Sequence, residues 1–240
     1  MNTTFSVLVC CHGQFPQYSL RAVNSIVAAE QLGTFDLHVG CSDCCEETIS
    51  ALRKQIDEGR IDSIVQSRRN INKDPMMRVL VELARGEYVL WLDDDSHLAP
   101  GWDGRLVEFL DSHAPFDVAG HVFYWHKNDD YRRFLRQRPW YRGDDAYLDP
   151  GDHQQRTWFA TGGLFVARTE FLRQHDFPDR GMVKKQDDVL LGDLISQQHG
   201  KLIGFSNEFM KCVAISDGDR RGEGEGDDGW VWKPEKAPPL

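Results

Sequence analysis

Apolar positions along this chain switch repeatedly between two spacings. Phe5 to Cys10 reads FSVLVC, a short β-rich run, and after the loop Cys11-His12-Gly13-Gln14 the apolar residues recur at helical spacing from about Gln17 to Leu32. A second unit follows, with Phe35 to Cys41 (FDLHVGC) as strand, Ser42-Asp43 as turn and N-cap, and Glu46 to Glu58 as helix. Ile61 to Gln66 reads as a third strand, Pro75 as the opening of a helix that runs to Ala84, and Glu87 to Leu92 (EYVLWL) as a fourth, almost wholly apolar strand. This alternation predicts a doubly wound α/β sheet, in which a ligand sits beyond the carboxyl ends of the strands.

The loops at those ends carry Cys11-His12-Gly13, Ser42-Asp43, Arg68-Arg69-Asn70 and the triplet Asp93-Asp94-Asp95. Three consecutive acids repel one another unless a cation offsets them, and an oxygen-only ligand set with room for phosphate oxygens suits Mg²⁺ or Mn²⁺. A solvated acidic turn is the plainer alternative. Against it, the triplet terminates a strand expected to be central and precedes Pro100-Gly101-Trp102, which opens the next helix. An EF-hand is excluded, because no Gly and no Glu stand at the required loop offsets.

Composition narrows the class without changing it. The 240 residues carry a formal charge of -10, and 13 Phe, 7 Trp and 6 Tyr supply more apolar surface than a disordered chain could leave unburied. No apolar run approaches the roughly 18 residues of a spanning helix, and Met1 to Thr4 lead straight into a strand with no signal-peptide pattern, so a cytoplasmic location is expected. The six cysteines then read as reduced thiols. The CxxC of Cys41 and Cys44, with Cys10-Cys11 nearby, leaves a zinc site as an alternative; core packing ranks above it, since the second pair lacks the two-residue spacing of zinc ribbons.

At this point motifs accumulate. Arg85-Gly86-Glu87-Tyr88-Val89-Leu90-Trp91-Leu92-Asp93-Asp94-Asp95, continuing to Pro100-Gly101-Trp102, resembles the "GEYxxxLDxD…PGW" segment of family 2 glycosyltransferases with the GT-A fold, which are related to the polypeptide N-acetylgalactosaminyltransferases. Thr161 to Arg168 with Glu170-Phe171-Leu172 resembles their "GGxxxxRxxF" segment, and Gln186-Asp187-Asp188-Val189-Leu190-Leu191 their "ED" segment ahead of a helix. Three motifs in family order imply a GT-A domain: a Rossmann-like, mostly parallel central sheet flanked by helices, with a mobile acidic tail. Residues 1–102 would form the nucleotide-sugar half, 103–215 the acceptor half and 216–232 a lid, with 233–240 as tail.

The resemblance implies a nucleotide diphosphate sugar, a UDP-sugar favoured, as donor. It places Asp93 at the ribose or a divalent ion, Asp95 as a ligand of Mn²⁺ or Mg²⁺, and Asp94, Arg69, Gly162 and Gly163 around the donor. Asp43 would contact the base and Cys11, His12 and Gly13 would wall that pocket. Here the chain departs from the family, since Gly40-Cys41-Ser42-Asp43 supplies one acid where two are common. Asp188 maps to the base of inverting members, with Asp187 orienting the acceptor; Asp187 stands where Glu is usual. A pair of acids would also favour a helix N-terminus whatever the protein did.

Elsewhere the resemblance is weaker. Val118 to Trp125 reads as a strand entering the acceptor half. Tyr131 to Arg142 holds five arginines among aromatics and no acid, a composition suited to stacking on sugars or bases with phosphate contacts, or equally to a solvated basic surface. The acceptor is left as a glycan, a small molecule or a modified nucleic acid. Ser216 to Gly229 alternates Gly with charge; Arg220 or Arg221 would contact the diphosphate and Asp217 would add a third metal ligand. Two rivals stay open. A sugar-phosphate nucleotidyltransferase should carry a Gly-rich basic loop where Cys11 to Phe15 stands, and a non-catalytic carbohydrate- or nucleic-acid-binding module would consume no donor.

Overall fold

The computed structural model describes residues 4–30, 34–126, 133, 136–141, 156–175 and 187–214. Three strand-helix units come first: β1 (Phe5–His12) and α1 (Pro16–Val27), β2 (Asp36–Ser42) and α2 (Glu46–Asp57), β3 (Ser63–Ser67) and α3 (Lys73–Leu83). Then follow β4 (Tyr88–Asp93), the short β5 (His97–Leu98), α4 (Trp102–His113), β6 (Val118–His126) and β7 (Arg156–Arg168). The described chain closes with α5 (Thr169–Gln174), α6 (Asp187–Gln197), β8 (Leu202–Gly204), α7 (Asn207–Met210) and β9 (Val213–Ala214).

Among the described residues, seven strands form one sheet in the order β3-β2-β1-β4-β7-β6-β8, and β5 pairs with β9 in a second, two-stranded sheet. Strands β3, β2, β1 and β4 are parallel, β7 runs antiparallel to β4 and to β6, and β8 is parallel to β6. Side-chain alternation explains the continuous apolar runs. Phe5, Val7, Val9 and Cys11 of β1, with Tyr88, Leu90 and Leu92 of β4, pack on one face against α1, α2 and α4. Leu8, Cys10, Val89 and Trp91 pack on the other against α3, α5 and α6. Both faces are buried, so neither shows a polar alternation.

Element boundaries move for local reasons. The N-cap of α2 is Cys45; Ser42 instead accepts the Ile71 amide at 2.9 Å, and Asp43 adopts a left-handed φ of 58°. Helix α3 starts at Lys73, ahead of Pro75, whose missing N–H lies in a first turn that has no intrahelical acceptor for it. Gly86 has no freedom to be anything larger: its amide donates to Ser6 Oγ at 2.8 Å, and a Cβ there would collide with the Phe5 backbone. No helix among the described residues is long and apolar enough to cross a membrane. The six thiols are free, with Cys10, Cys11, Cys41 and Cys212 buried.

The amino ends of the strands are tied by a buried carboxylate. Asp36 accepts from Ser6 Oγ at 2.6 Å and the Arg85 amide at 3.1 Å and lies 2.5 Å from His38 Nε2, while His38 Nδ1 is 2.8 Å from Ser63 Oγ. Burial alone would raise the Asp36 pKa, but the hydrogen bonds from His38, Ser6 and Arg85 outweigh it and hold the group below its ordinary 3.8. A carboxylate held down in the folded state contributes stability that is complete above its unfolded pKa and is lost as pH falls through the folded value. Asp36→Ala is therefore expected to cost about 2–4 kcal/mol at neutral pH by stranding these partners, the deficit shrinking below pH about 3.8. Urea melts of both proteins across the acid range measure it; a deficit independent of pH would assign the loss to packing.

Candidate active site

Parallel register brings the predicted loops to one edge. His12 lies alongside Ser42, Ser42 alongside Ser67, and Cys10 alongside Asp93. After β3 the chain returns to the other side of β1, so the crevice between β1 and β4 is the switch point where open α/β sheets bind ligands. Short backbone bonds hold the rim: the Gly13 amide donates to Ser42 O at 3.1 Å and the Asp43 amide to Ser67 O at 3.0 Å. Gly13, at φ 73°, makes a turn that a side chain would strain.

The acid triplet is a turn closed by the Ser96 amide on Asp93 O at 3.0 Å. Strand alternation sends its members to different sides. Asp94, only 2% exposed, points to the α1 face, where Oδ2 accepts the His12 amide at 3.1 Å and the Ser19 hydroxyl at 2.5 Å. Asp93 points to the α3 and α6 face, where Trp91 Nε1 donates to Oδ1 at 2.8 Å and Lys73 Nζ to Oδ2 at 3.0 Å. Asp95 is half-buried at the turn, with Ser96 Oγ 3.3 Å from its Oδ1. The set offers a hard divalent ion carboxylate oxygens from Asp93 and Asp95, the donor type that Mg²⁺ and Mn²⁺ prefer. Among the described residues no three His, Cys, Asp or Glu side chains gather into a complete site, so the remaining ligands would come from the nucleotide or from residues not described.

Lys73 carries the network across the sheet. Besides Asp93, its ammonium donates to Gly162 O of β7 at 2.5 Å, and the Gly162 amide in turn donates to Asp188 Oδ2 at 3.3 Å. The Val189 amide donates to Asp188 Oδ1 at 2.8 Å, fixing this carboxylate at the start of α6. Acids from the two halves of the chain thus stand on one chain of polar contacts.

A family model described as "Glycosyl transferase family 2" matches residues 6–176, well over half of the chain. The chain belongs to glycosyl transferase family 2. No curated protein matches this chain in sequence, but solved structures share its fold. TarS of S. aureus superposes with a TM-score of 0.59 at 17% identity over 85% of this chain. The mannosyltransferase PcManGT from Pyrobaculum calidifontis, solved with GDP-Man and Mn²⁺, gives 0.61 at 15% identity over 92%. A TarS structure in complex with UDP-GlcNAc gives 0.58 over 85%. The chain spans 35% of that first TarS chain and 59% of the mannosyltransferase. Neither these neighbours nor the family match adds support for the finer kinship to polypeptide N-acetylgalactosaminyltransferases, which rests on motifs alone. Family membership sets aside the nucleotidyltransferase alternative.

Within this family 2 member, His12, Gly13, Asp43, Arg69, Asp93 and Asp95 belong to loops or strand ends at the carboxyl edge, whereas Gly162 and Gly163 lie inside β7, just beyond the Leu92–Leu164 pairing at the end of β4, and Asp188 lies in the first turn of α6. Three expectations are corrected. Cys11 is fully buried among α1 and α2, so its side chain cannot line the pocket wall. Asp94 is spent on His12 and Ser19, so it shapes the rim from beneath. Trp140 of the basic aromatic segment is buried in the α3 and α6 core, where it is unavailable for stacking on a ligand. Asp187 opens α6, its side chain lying outside the described residues, as do Asp217, Arg220 and Arg221. Lys73 and Trp91 were missed by reading motifs. A signal existed for Lys73: a cation in the first turn of a helix opposes the macrodipole and calls for an anionic partner.

Proposed function

We propose that this glycosyltransferase moves a sugar from a nucleotide diphosphate donor to an acceptor hydroxyl with inversion, Asp188 removing the acceptor's proton. The observation that carries the reading is the continuous contact from Asp93 through Lys73 and Gly162 to Asp188, which sets a donor-side acid and a candidate base on one network. Asp188, half-buried and gripped by two backbone amides, keeps one orientation, as a group that takes a proton in the transition state requires. His12 and Gly13 shape the nucleotide side of the crevice, and the exposed Asp43 offers a carboxylate to the donors of a base. Asp95 with Asp93 would hold Mn²⁺ or Mg²⁺, which when bound offsets the charge gathering on the leaving diphosphate. UDP is favoured as the nucleotide; TarS has been solved with UDP and UDP-GlcNAc, and PcManGT with GDP-Man.

Thermal unfolding with UDP or GDP, with and without Mn²⁺, tests this directly. A ligand that binds only the folded state raises the midpoint, by about 2.7 kcal/mol of stability at one hundred times its Kd. One nucleotide with Mn²⁺ is expected to raise it clearly above either alone. If no nucleotide moves the midpoint, the donor site is elsewhere or absent. If a UDP-sugar binds yet is never consumed across a panel of acceptors, the domain is a binding module.

A further inference from the structure

Lys73 stands where electrostatics alone would place an acid, in the first turn of α3. Its side chain is 13% exposed, with Nζ 3.0 Å from Asp93 Oδ2, 2.5 Å from Gly162 O and 5.5 Å from the centre of the Trp91 ring. Trp91 Nε1 holds the other Asp93 oxygen. Both oxygens of the first acid in the proposed metal-nucleotide site are therefore engaged by protein donors, one of them fully charged. A divalent ion reaching Asp93 must displace that ammonium or sit beside it. Between the dielectric limits of water and a protein surface, a unit positive charge so close weakens the affinity of a divalent ion by about tenfold or more.

We infer that Lys73 is a resident counter-cation of Asp93, which keeps the acidic turn from taking a divalent ion by itself. The ion is accepted together with the nucleotide diphosphate, whose negative charge outweighs the ammonium. Lys73 acts through its neighbours and is a positioning residue: displaced from Asp93, the ammonium keeps its hydrogen bond to Gly162, whose amide holds Asp188. This rests on the donor site proposed above and adds an order to it, with metal and nucleotide arriving as one complex.

The test uses Mn²⁺ alone as probe. Free Mn²⁺ is titrated into the nucleotide-free full chain and followed by the EPR signal of the unbound ion, for wild type, Lys73→Met, Lys73→Gln, Lys73→Arg and the double variant Lys73→Met/Asp93→Asn. Thermal unfolding checks that each is folded. Both neutral replacements are expected to bind Mn²⁺ about tenfold or more tightly than wild type. Lys73→Arg should stay near wild type, and the gain should vanish in the double variant, placing it at Asp93. A lysine that merely braced the fold would give the opposite sign, since a loosened site binds metal less well. No gain in either neutral variant, or a gain that survives Asp93→Asn, overturns the counter-cation role. UDP and GDP with Mn²⁺ are titrated into wild type in parallel; if neither binds, the donor-site reading falls and this inference with it.

Discussion

Asp188→Asn is expected to lower sugar transfer roughly 10²–10⁴-fold while leaving donor affinity near that of wild type. The amide matches the carboxylate in shape but cannot take a proton from an acceptor hydroxyl. It also keeps only one oxygen for the two amides that grip Asp188, those of Gly162 and Val189, so a small local shift accompanies the change. Calorimetric donor binding alongside steady-state rates separates the two effects. Asp187→Asn should be milder. Full activity in Asp188→Asn together with loss in Asp187→Asn would move the base one residue back, and full activity in both would remove this acid pair from proton transfer.

The second large effect divides neighbours in one turn. Asp95→Ala should abolish Mn²⁺-dependent nucleotide binding with little change in the unfolding midpoint, because a half-buried acid beside two others contributes little to the fold. Asp94→Ala should do the reverse to stability. It strands the buried Ser19 hydroxyl and the His12 amide, at a cost of about 2 kcal/mol, which lowers the midpoint by roughly 4–8 °C for a chain of this size. Differential scanning calorimetry and nucleotide titration on both variants decide the matter. Were Asp94→Ala as stable as wild type and Asp95→Ala unfolded, the assignment of the two acids would be inverted.

Much of this architecture could be read from the chain because parallel strands buried on both faces leave long apolar runs, as in EYVLWL, and because turns with Gly or acids punctuate them. Residues adjacent in sequence at a strand end were harder. Asp93, Asp94 and Asp95 look alike as letters, and only alternation across the sheet, with Ser19 waiting on one side and Lys73 on the other, gives them different work. Cys11 differs from expectation for a related reason. It belongs to β1 by register with Cys41, and since His12 also pairs, with Ser42, the loop begins two residues later than the apolar pattern implies. Lys73 and Gly162 are far apart in the chain, so their meeting is a fact of tertiary packing that no local pattern could carry.

The tiny sheet that follows the acidic turn has a bearing on how the molecule is made. His97 and Leu98, just past Asp95, pair with Ala214 and Val213, and the Ala99 amide bonds to Cys212 O. Strand β7 likewise enters the main sheet next to β4. On a ribosome, the segment bearing Asp93 to Asp95 emerges after β1 but long before β7 and β9, which pair with β4 and β5. Closing such distant pairs is slow, because chain entropy is lost before any contact repays it. The acidic turn is consequently among the last parts to reach its final shape, and a fragment ending near residue 102 would own the acids without the scaffold that aims them.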